Sequence, residues 1–422
     1  MTIALAWVAP RLVGAQTAPA PADQPASAPA DQPASAPADQ PAPTAPAPSD
    51  APATDLPRET AIENPLGRAP AVTGSAFGGY GEITYNAPSN ADSVVDFRRF
   101  VLFFGHDFTD RIRFYSEVEF EHAVASFDDV GEAEIEQGYL DGLLDKRINL
   151  RGGLILMPMG IVNVYHEPPS FHGVDRPDVD EFVIPSTWRE PGFGIFGELA
   201  EGVRYQLYLV DGFNANGFTA DSAIAEGHQE AQLAYAGDAG VIARVDYEPV
   251  LGTVIGASAY GGTSGNSLRG SVGYVPIGLF DIDARYKHGG LSARGEVALL
   301  VIGDAGALDQ ALAAGSADQM AAGAVSSRSQ GGYAEVAYDV LRWLAPKTEQ
   351  ALDVFTRFDY ANTQAAVPAG FMANPAYRRK SEMVGLVYKP IPQIALKLDY
   401  RHHWLGAGEQ YDELAAAITW LF

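Results

Sequence analysis

The feature of this sequence that most constrains its fold is an alternation of apolar and polar side chains at every second position, which continues from Gly74 to the last residue. In the segment RIRFYSEVEFEHA, for example, Ile112, Phe114 and Val118 fall on one face, whereas arginine, tyrosine and glutamate fall on the other. A repeat of two residues is that of a β-strand with one apolar face. The sequence therefore predicts an all-β domain over residues 74–422.

About sixteen segments of this kind can be counted along the chain. They lie near residues 74–86, 95–108, 111–123, 132–145, 147–158, 192–199, 202–212, 239–248, 251–261, 280–289, 291–303, 331–342, 351–362, 380–389, 393–404 and 412–422. Many neighbouring segments are separated by only two to four residues, which requires antiparallel hairpins because parallel strands need a longer crossover. Longer connections are predicted at 159–191, 213–238, 262–279, 304–330 and 363–379.

Two architectures fit a long antiparallel run of strands: a soluble sandwich or barrel with an apolar interior, and a transmembrane barrel with an apolar exterior. Strands of about ten residues suit a tilted crossing of a bilayer, and fully ionic polar rows suit a water-filled lumen. Aromatic residues also cluster near strand ends, as in interfacial girdles: Tyr80, Tyr85, Phe120, Tyr360, Tyr400, Trp404 and Trp420. We therefore predict a transmembrane antiparallel β-barrel of about 16 strands with a polar lumen.

The last segment carries an apolar row that reaches the end of the chain, with Leu414, Ile418, Trp420 and Phe422 at alternate positions. In a closed barrel the last strand pairs with the first, so this row is expected to face lipid. A final Phe422 with Trp420 and other apolar residues at alternate positions upstream resembles the signal that bacterial outer-membrane barrels present to their insertion machinery, and these two residues are the predicted assembly signal. The expected location is the outer membrane of a Gram-negative bacterium, with its lipid as a partner.

The segment before the barrel has a different composition. Residues 1–15 are predicted to be a signal peptide, because a short apolar run ends in small residues before Gln16; a positively charged start is missing, so this segment is expected to be truncated or its gene start misplaced. Residues 16–73 repeat the motif APADQPAS and are predicted to form a Pro/Ala-rich disordered linker. A spacer through a periplasm-like layer and a plain disordered tail both remain open.

One stretch is more specific than the alternation. It begins RGGLILMPMG and carries Gly153, Pro158, Gly160, His166–Pro168, Arg176–Pro177 and Ile184–Glu190. Together with DFRRFVLFFGHDF near the start of the barrel, it resembles the phosphate-selective porin O and P family of Gram-negative outer-membrane porins. The resemblance implies sixteen strands, a homotrimer and diffusion of anions such as phosphate through the pore.

The connection 159–191 is too long and too rich in proline and aromatic residues for a simple turn. We expect it to fold into the lumen and narrow the channel, with an outward-facing lid as the alternative. Its candidate constriction residues are His166, Arg176 and Arg189. Seven arginines on the polar rows of the strands are the candidate pore-lining residues: Arg113, Arg151, Arg204, Arg244, Arg285, Arg357 and Arg401.

The charge pattern of these rows argues against strong ion selectivity. Nearly every predicted lumen base has a carboxylate two residues away on the same face, and only Arg151 and Arg204 lack one. Charge rings set the sign of the permeant ion, so paired charges predict a general porin for small hydrophilic solutes or ions with at most a mild anion preference. The alternative is a non-conducting structural or adhesin-type outer-membrane barrel with a plugged lumen.

Other functions are disfavoured by composition and motifs. A formal charge of −25 opposes nucleic-acid binding, and the absence of cysteine excludes disulfides and thiolate metal sites. Neither a Gly-x-Ser-x-Gly motif nor a His-Glu-x-x-His motif occurs, so no catalytic residues, no enzymatic activity and no cofactor are expected. Glu132, Glu134 and Glu136 share a face, but we interpret them as a solvated acidic row and predict no metal site.

Overall fold

The structure is a computed structural model that describes residues 74–126, 130–315 and 323–422. The predicted signal peptide 1–15 and linker 16–73 lie outside the described residues. Sixteen strands occupy the described ranges: β1 (Ser75–Pro88), β2 (Val94–Asp107), β3 (Ile112–Glu121), β4 (Ala133–Leu143), β5 (Asn149–Leu156), β6 (Arg189–Ala200), β7 (Val203–Asp211), β8 (Ala239–Val250), β9 (Thr253–Thr263), β10 (Pro276–His288), β11 (Leu291–Ile302), β12 (Arg328–Asp339), β13 (Ala351–Ala366), β14 (Arg378–Ile391), β15 (Ile394–Leu405) and β16 (Gln410–Leu421).

The strands form one closed antiparallel barrel, in which each strand pairs with its neighbours in sequence and β1 pairs with β16. The closing register places Tyr80 opposite Leu421 and Ile83 opposite Ile418. The amide of Phe422 donates to the carbonyl of Gly79 at 2.8 Å, which extends the pairing to the last residue. This architecture confirms the predicted fold class, and closure removes the exposed edges that an open sheet would present.

Short and long connections lie at opposite ends of the barrel. Turns of two residues join β6 to β7, β8 to β9 and β10 to β11, and Gly202 and Gly252 adopt positive φ angles of 71° and 84° in the first two. Such angles favour glycine because it has no Cβ. The long connections, including 157–188, 212–238 and 303–327, lie at the other end.

The barrel turns its apolar rows outward. In β16, Leu414 and Ile418 are exposed, whereas Ala415 and Ala417 between them are buried. The same alternation brings ionic side chains to the inner wall, where they are buried: Glu82, Asp283, Glu335, Arg357 and Asp399. An apolar exterior with an ionic inner wall is the arrangement of a transmembrane barrel.

Four helices accompany the strands in the described ranges: α1 (Val179–Phe182), α2 (Arg269–Val272), α3 (Ala305–Gly315) and α4 (Leu341–Leu344). None of these helices is long and apolar enough to cross a membrane.

The inner wall is not polar throughout, so the prediction of a polar lumen holds for only part of the wall. At the end that carries the long connections, Trp188 packs against Phe213 and Tyr260 with ring centroids 5.0 and 5.1 Å away. Leu279 and Leu300 of β10 and β11 are fully buried in the same apolar cluster. The physical reason is that the connections carry apolar side chains inward, so the wall that faces them is apolar as well.

Candidate functional site

The connection between β5 and β6, residues 157–188, is called the inserted loop. It folds into the lumen, as the sequence predicted. Met157, Val179 and Ile184 are fully buried in the apolar cluster, and α1 packs against β12 and β13. The lumen is therefore crossed by a segment of the chain itself.

Carboxylates of the wall bind backbone amides of the inserted loop. The pairs are Glu296 with the amide of Ile161 (2.9 Å), Asp399 with that of Val174 (2.7 Å) and Asp359 with that of Asp178 (3.2 Å). Each carboxylate belongs to one of the strands β11 to β15, so the loop is attached to that side of the barrel. Buried hydrogen bonds to charged acceptors are stronger than neutral ones.

Wall bases bind carbonyl oxygens of the same loop. The contacts are Lys389 to Pro169 (3.1 Å), Arg294 to Ser170 (3.3 Å), Lys397 to Gly173 (2.8 Å), and Arg357 to both Asp175 (3.1 Å) and Arg176 (3.2 Å). Side-chain contacts add to these bonds, because Arg98 pairs with Asp175 at 2.8 Å and Arg401 pairs with Asp178. Many of the charged side chains that were predicted to face the lumen therefore bind the inserted loop.

A cavity of about 280 Å³ remains between the inserted loop and strands β1 to β4, and we call it the passage. Its lining is strongly ionic: Glu82, Arg98, Arg99, Glu119, Glu121, Glu132, Glu134, Phe171, Arg176, Glu181, Ser186, Thr187, Arg189 and Glu230. Seven glutamates and four arginines give a formal charge of 4 − 7 = −3. The passage is a polar cavity inside the barrel, on which a permeation pathway can be built.

Two of the three candidate constriction residues line the passage. Arg176 donates to Thr187 at 2.8 Å, and Arg189 pairs with Glu134 and with Glu230 at 2.8 Å. Strand β6 begins at Arg189, so this arginine belongs to the wall at the end of the loop.

His166 of the inserted loop takes a different position, because its side chain is buried against the barrel wall and is not among the residues that line the passage. Its ring makes an edge contact with Tyr80. Burial lowers the pKa of His166 to about 4, so its imidazole is neutral near pH 7.

Three of the seven candidate pore-lining arginines are buried in ionic contacts. Arg244 lies 2.8 Å from both Asp246 and Asp283, and Arg357 lies 2.8 Å from Asp359. Arg401 is 3.8 Å from Asp359 in addition to its loop contact. These groups support the wall and the loop.

Three further arginines of the seven lie in more open surroundings. Arg113 lies 3.1 Å from Asp107, and Arg204 is exposed on β7. Arg285 lies over the ring of Tyr165 at 5.1 Å. None of these three is among the residues that line the passage.

The prediction that Arg151 lacks a partner was wrong. Its guanidinium makes two hydrogen bonds of 2.8 Å to Asp141 and lies 4.0 Å from the centre of the Tyr139 ring. Asp141 lies directly opposite Arg151 on β4, a relation that depends on strand register and that spacing along one strand cannot reveal. Arg294 shows the same effect, since it pairs with Glu335 of β12 at 2.6 Å.

The glutamates that line the passage were not among the candidate pore-lining or constriction residues chosen from the sequence. Glu119 of β3 lies directly opposite Glu134 of β4 in the register of this hairpin. The signal was present in the sequence, because two glutamate-rich rows flank one connection and antiparallel pairing places such rows side by side. Glu230, from the β7–β8 connection, carries no such signal.

The fold is shared with solved porins. The Salmonella typhi OmpF structure in complex with daunomycin matches with a TM-score of 0.55 and 12% identity, covering 83% of this chain and 98% of that chain. The anion-selective porin from Comamonas acidovorans matches with a TM-score of 0.52 and 11% identity, covering 83% and 100%. The DcaP channel of Acinetobacter baumannii matches with a TM-score of 0.51 and 11% identity, covering 84% and 99%. Such identities show a common fold alone.

A search of family models returned no match for the chain. A relative is nevertheless found in Aquifex aeolicus (strain VF5), where it is described as an uncharacterized protein. The two sequences are 35% identical over 354 residues, which cover 83% of this chain and 80% of the relative. This chain therefore belongs to the same protein family as the Aquifex aeolicus protein and has the fold of the porins.

Proposed function

We propose that this protein is an outer-membrane porin through which small hydrophilic solutes and ions diffuse passively, without catalysis and without a cofactor. The observation that carries the proposal is the passage, an ionic cavity beside a loop that is fastened inside a closed barrel with an apolar exterior. The porin neighbours support it through their fold. Two of them are an outer membrane channel of Acinetobacter baumannii and an anion-selective porin of Comamonas acidovorans.

For selectivity, we propose a weak preference for cations. The resemblance to phosphate-selective porins implied anions, but the passage has three more carboxylates than arginines. Arg99 lies 3.0 Å from Glu82, and Arg189 is paired with Glu134, so two of the four arginines are neutralised locally. Charges within a Debye length of a permeant ion, about 8 Å at physiological ionic strength, determine its sign.

The reversal potential in a potassium chloride gradient, measured on single channels in a planar bilayer, tests this proposal. We expect stepwise conductance and a reversal potential of the sign for cation preference. The double variant Glu121→Gln/Glu132→Gln changes the formal charge of the passage from −3 to −1 and should move the reversal potential towards zero. The matched control Glu201→Gln/Glu349→Gln removes the same charge from exposed residues outside the passage and should leave it unchanged.

Two results would contradict the proposed selectivity. Anion preference in the wild type would restore the implication of the family resemblance, and block of chloride current by micromolar phosphate would establish a phosphate site. Equal shifts in the double variant and its control would mean that ions do not follow the passage.

The second candidate function is a non-conducting structural or adhesin-type barrel. The observation that favours it is the apolar cluster, in which the inserted loop and the connections at that end of the barrel fill part of the lumen. Reconstituted protein that is folded and inserted but gives no conductance steps would support this candidate and exclude the porin.

Location and assembly belong to the same proposal. The apolar outer rows are proposed to face the lipid of a Gram-negative outer membrane, and Phe422 and Trp420 are proposed to be read by the barrel-insertion machinery. A homotrimer is proposed on the family resemblance. Chemical crosslinking of intact outer membranes tests it, since a trimer gives a ladder that ends at three subunits.

A further inference from the structure

Three side chains of the kinds that bind metal ions meet where the inserted loop contacts strands β3 and β4. Glu117 belongs to β3, Glu136 to β4 and His166 to the loop. Their exposed fractions are 2%, 0% and 1%. One oxygen of each glutamate and one ring nitrogen of the histidine all lie within 4.8 Å of one another.

The orientation of His166 is the observation that points to a ligand. Its Nδ1 lies 3.3 Å from the carbonyl oxygen of Asn163, and a carbonyl only accepts, so Nδ1 carries a proton and donates it. Nε2 lies 3.4 Å from Oε1 of Glu136. Within the part of the chain that the structure describes, neither Nε2 nor this oxygen has a hydrogen-bond partner. A buried ring nitrogen without a hydrogen-bond partner therefore faces a buried carboxylate oxygen that also has none.

Burying two such polar atoms without partners is costly, and a cation that binds between them removes this cost. We propose that Glu117, Glu136 and His166 form a binding site for one divalent transition-metal cation, with Zn²⁺ as the ion that fits best. Zinc binds imidazole nitrogen and carboxylate oxygen at about 2.0–2.2 Å in a tetrahedron, whose edges are then about 3.3–3.6 Å. The 3.4 Å separation of Nε2 and Oε1 has this length. Calcium and magnesium prefer oxygen ligands to an imidazole nitrogen.

The groups around the three ligands hold them in position. Tyr115 donates to Glu117 at 2.6 Å, and Gln137 donates to the other oxygen of the same carboxylate. The bond from Nδ1 of His166 to a backbone carbonyl is the usual orienting contact of a metal-bound histidine. Asn163, which supplies that carbonyl, is itself fixed by its side-chain bonds to the carbonyls of Met157 and Trp188.

The position of the site gives it a structural consequence. The wall contacts of strands β11 to β15 hold the inserted loop on one side of the barrel, whereas this cluster lies on the side of β3 and β4, next to the passage. A bound cation would join the loop to the β3–β4 hairpin there and fix the edge of the loop that borders the passage. The inference concerns a binding site and does not depend on conduction.

Metal content is the direct test. The full chain, refolded in detergent and stripped with a chelator, is dialysed against Zn²⁺ and then against metal-free buffer, and its metal is counted by mass spectrometry. We expect about one zinc ion per barrel, with one imidazole in its X-ray absorption spectrum. Glu136→Gln and His166→Asn should weaken zinc binding by at least about 100-fold in calorimetric titration.

Two matched controls remove the same chemical groups nearby. Glu132→Gln and His106→Asn change an exposed glutamate and a partly exposed histidine outside the cluster, and both should bind zinc as the wild type does. The proposal is overturned if the wild type retains no zinc, if Glu136→Gln and His166→Asn bind as tightly as the controls, or if Ca²⁺ binds in preference to Zn²⁺. The zinc content of the wild type tests the proposal without any variant, so a variant that fails to fold does not leave the proposal untested.

Discussion

Arg357 offers the sharpest test of how the inserted loop is held in the lumen. Its guanidinium is fully buried, lies 2.8 Å from Asp359, and donates to the backbone carbonyls of Asp175 and Arg176. Arg357→Met keeps most of the side-chain volume and removes the donors. We expect the barrel to remain assembled, because the strand ladders are untouched, while the loop leaves the wall far more often.

The magnitude follows from the two loop contacts. A hydrogen bond to a charged group contributes about 1.5–3 kcal/mol, so losing both weakens the closed loop by about 3–6 kcal/mol. At about 1.4 kcal/mol per factor of ten, the population of open loop rises about 10²- to 10⁴-fold. In this variant Arg401 remains 3.8 Å from Asp359. This second arginine limits the free-energy cost of leaving the buried Asp359 carboxylate without Arg357.

Hydrogen exchange read by mass spectrometry measures this population. The amides of Val174 and Asp178 are bonded to wall carboxylates, so their exchange reports opening of the loop. Their exchange should accelerate by the factor above in Arg357→Met and should stay at the wild-type rate in Arg204→Met, which changes an exposed arginine of β7. Unchanged exchange in an assembled Arg357→Met barrel would refute the view that these bonds hold the loop.

Three further outcomes follow from the structure. Phe422→Ser should lower the yield of barrel assembled in the outer membrane without changing the conductance of the barrels that do assemble; a normal yield would exclude the assembly signal. Burial, with the charges of Asp175 and Asp178, raises the pKa of Glu181 to about 7. Acidification through this pKa should therefore remove a carboxylate charge from the passage and reduce the cation preference. The variant Glu181→Gln should show a smaller effect of pH on the cation preference. Trp188→Ala should lower the free energy of unfolding by about 3–5 kcal/mol in thermal or denaturant unfolding, whereas exposed Trp343→Ala should change it by less than about 0.5 kcal/mol.

The strands could be predicted from the sequence because their signal is local. One face of each strand contacts lipid and the other contacts the lumen, so the alternation of Ile282 with Asp283, or of Phe358 with Asp359, records the fold residue by residue. All sixteen predicted segments correspond to strands, and their bounds differ by at most four residues. The inward fold of the inserted loop was predicted from its length and composition.

The partners of the lumen charges could not be predicted in the same way. A carboxylate two residues away on one strand, such as Asp399 beside Lys397, was expected to neutralise its neighbour, but Asp399 binds the amide of Val174 and Lys397 binds the carbonyl of Gly173. Backbone groups of a connection carry no sequence signal, since every residue has them. The pairing of Arg151 with Asp141 needed the register between two strands, which alternation within each strand leaves open.

Two groups of charges on the inner wall have different tasks, and this difference bears on what mutation can change. Lys397, Asp399 and Arg357 lie on β13 and β15 and hold the backbone of the inserted loop, whereas Glu119 and Glu134 lie on β3 and β4 and border the passage. Substitutions on β3 and β4 should therefore alter the sign and strength of ion preference while the loop stays closed. Substitutions on β13 and β15 should open the loop before they change selectivity, because their charges are already satisfied by the chain itself.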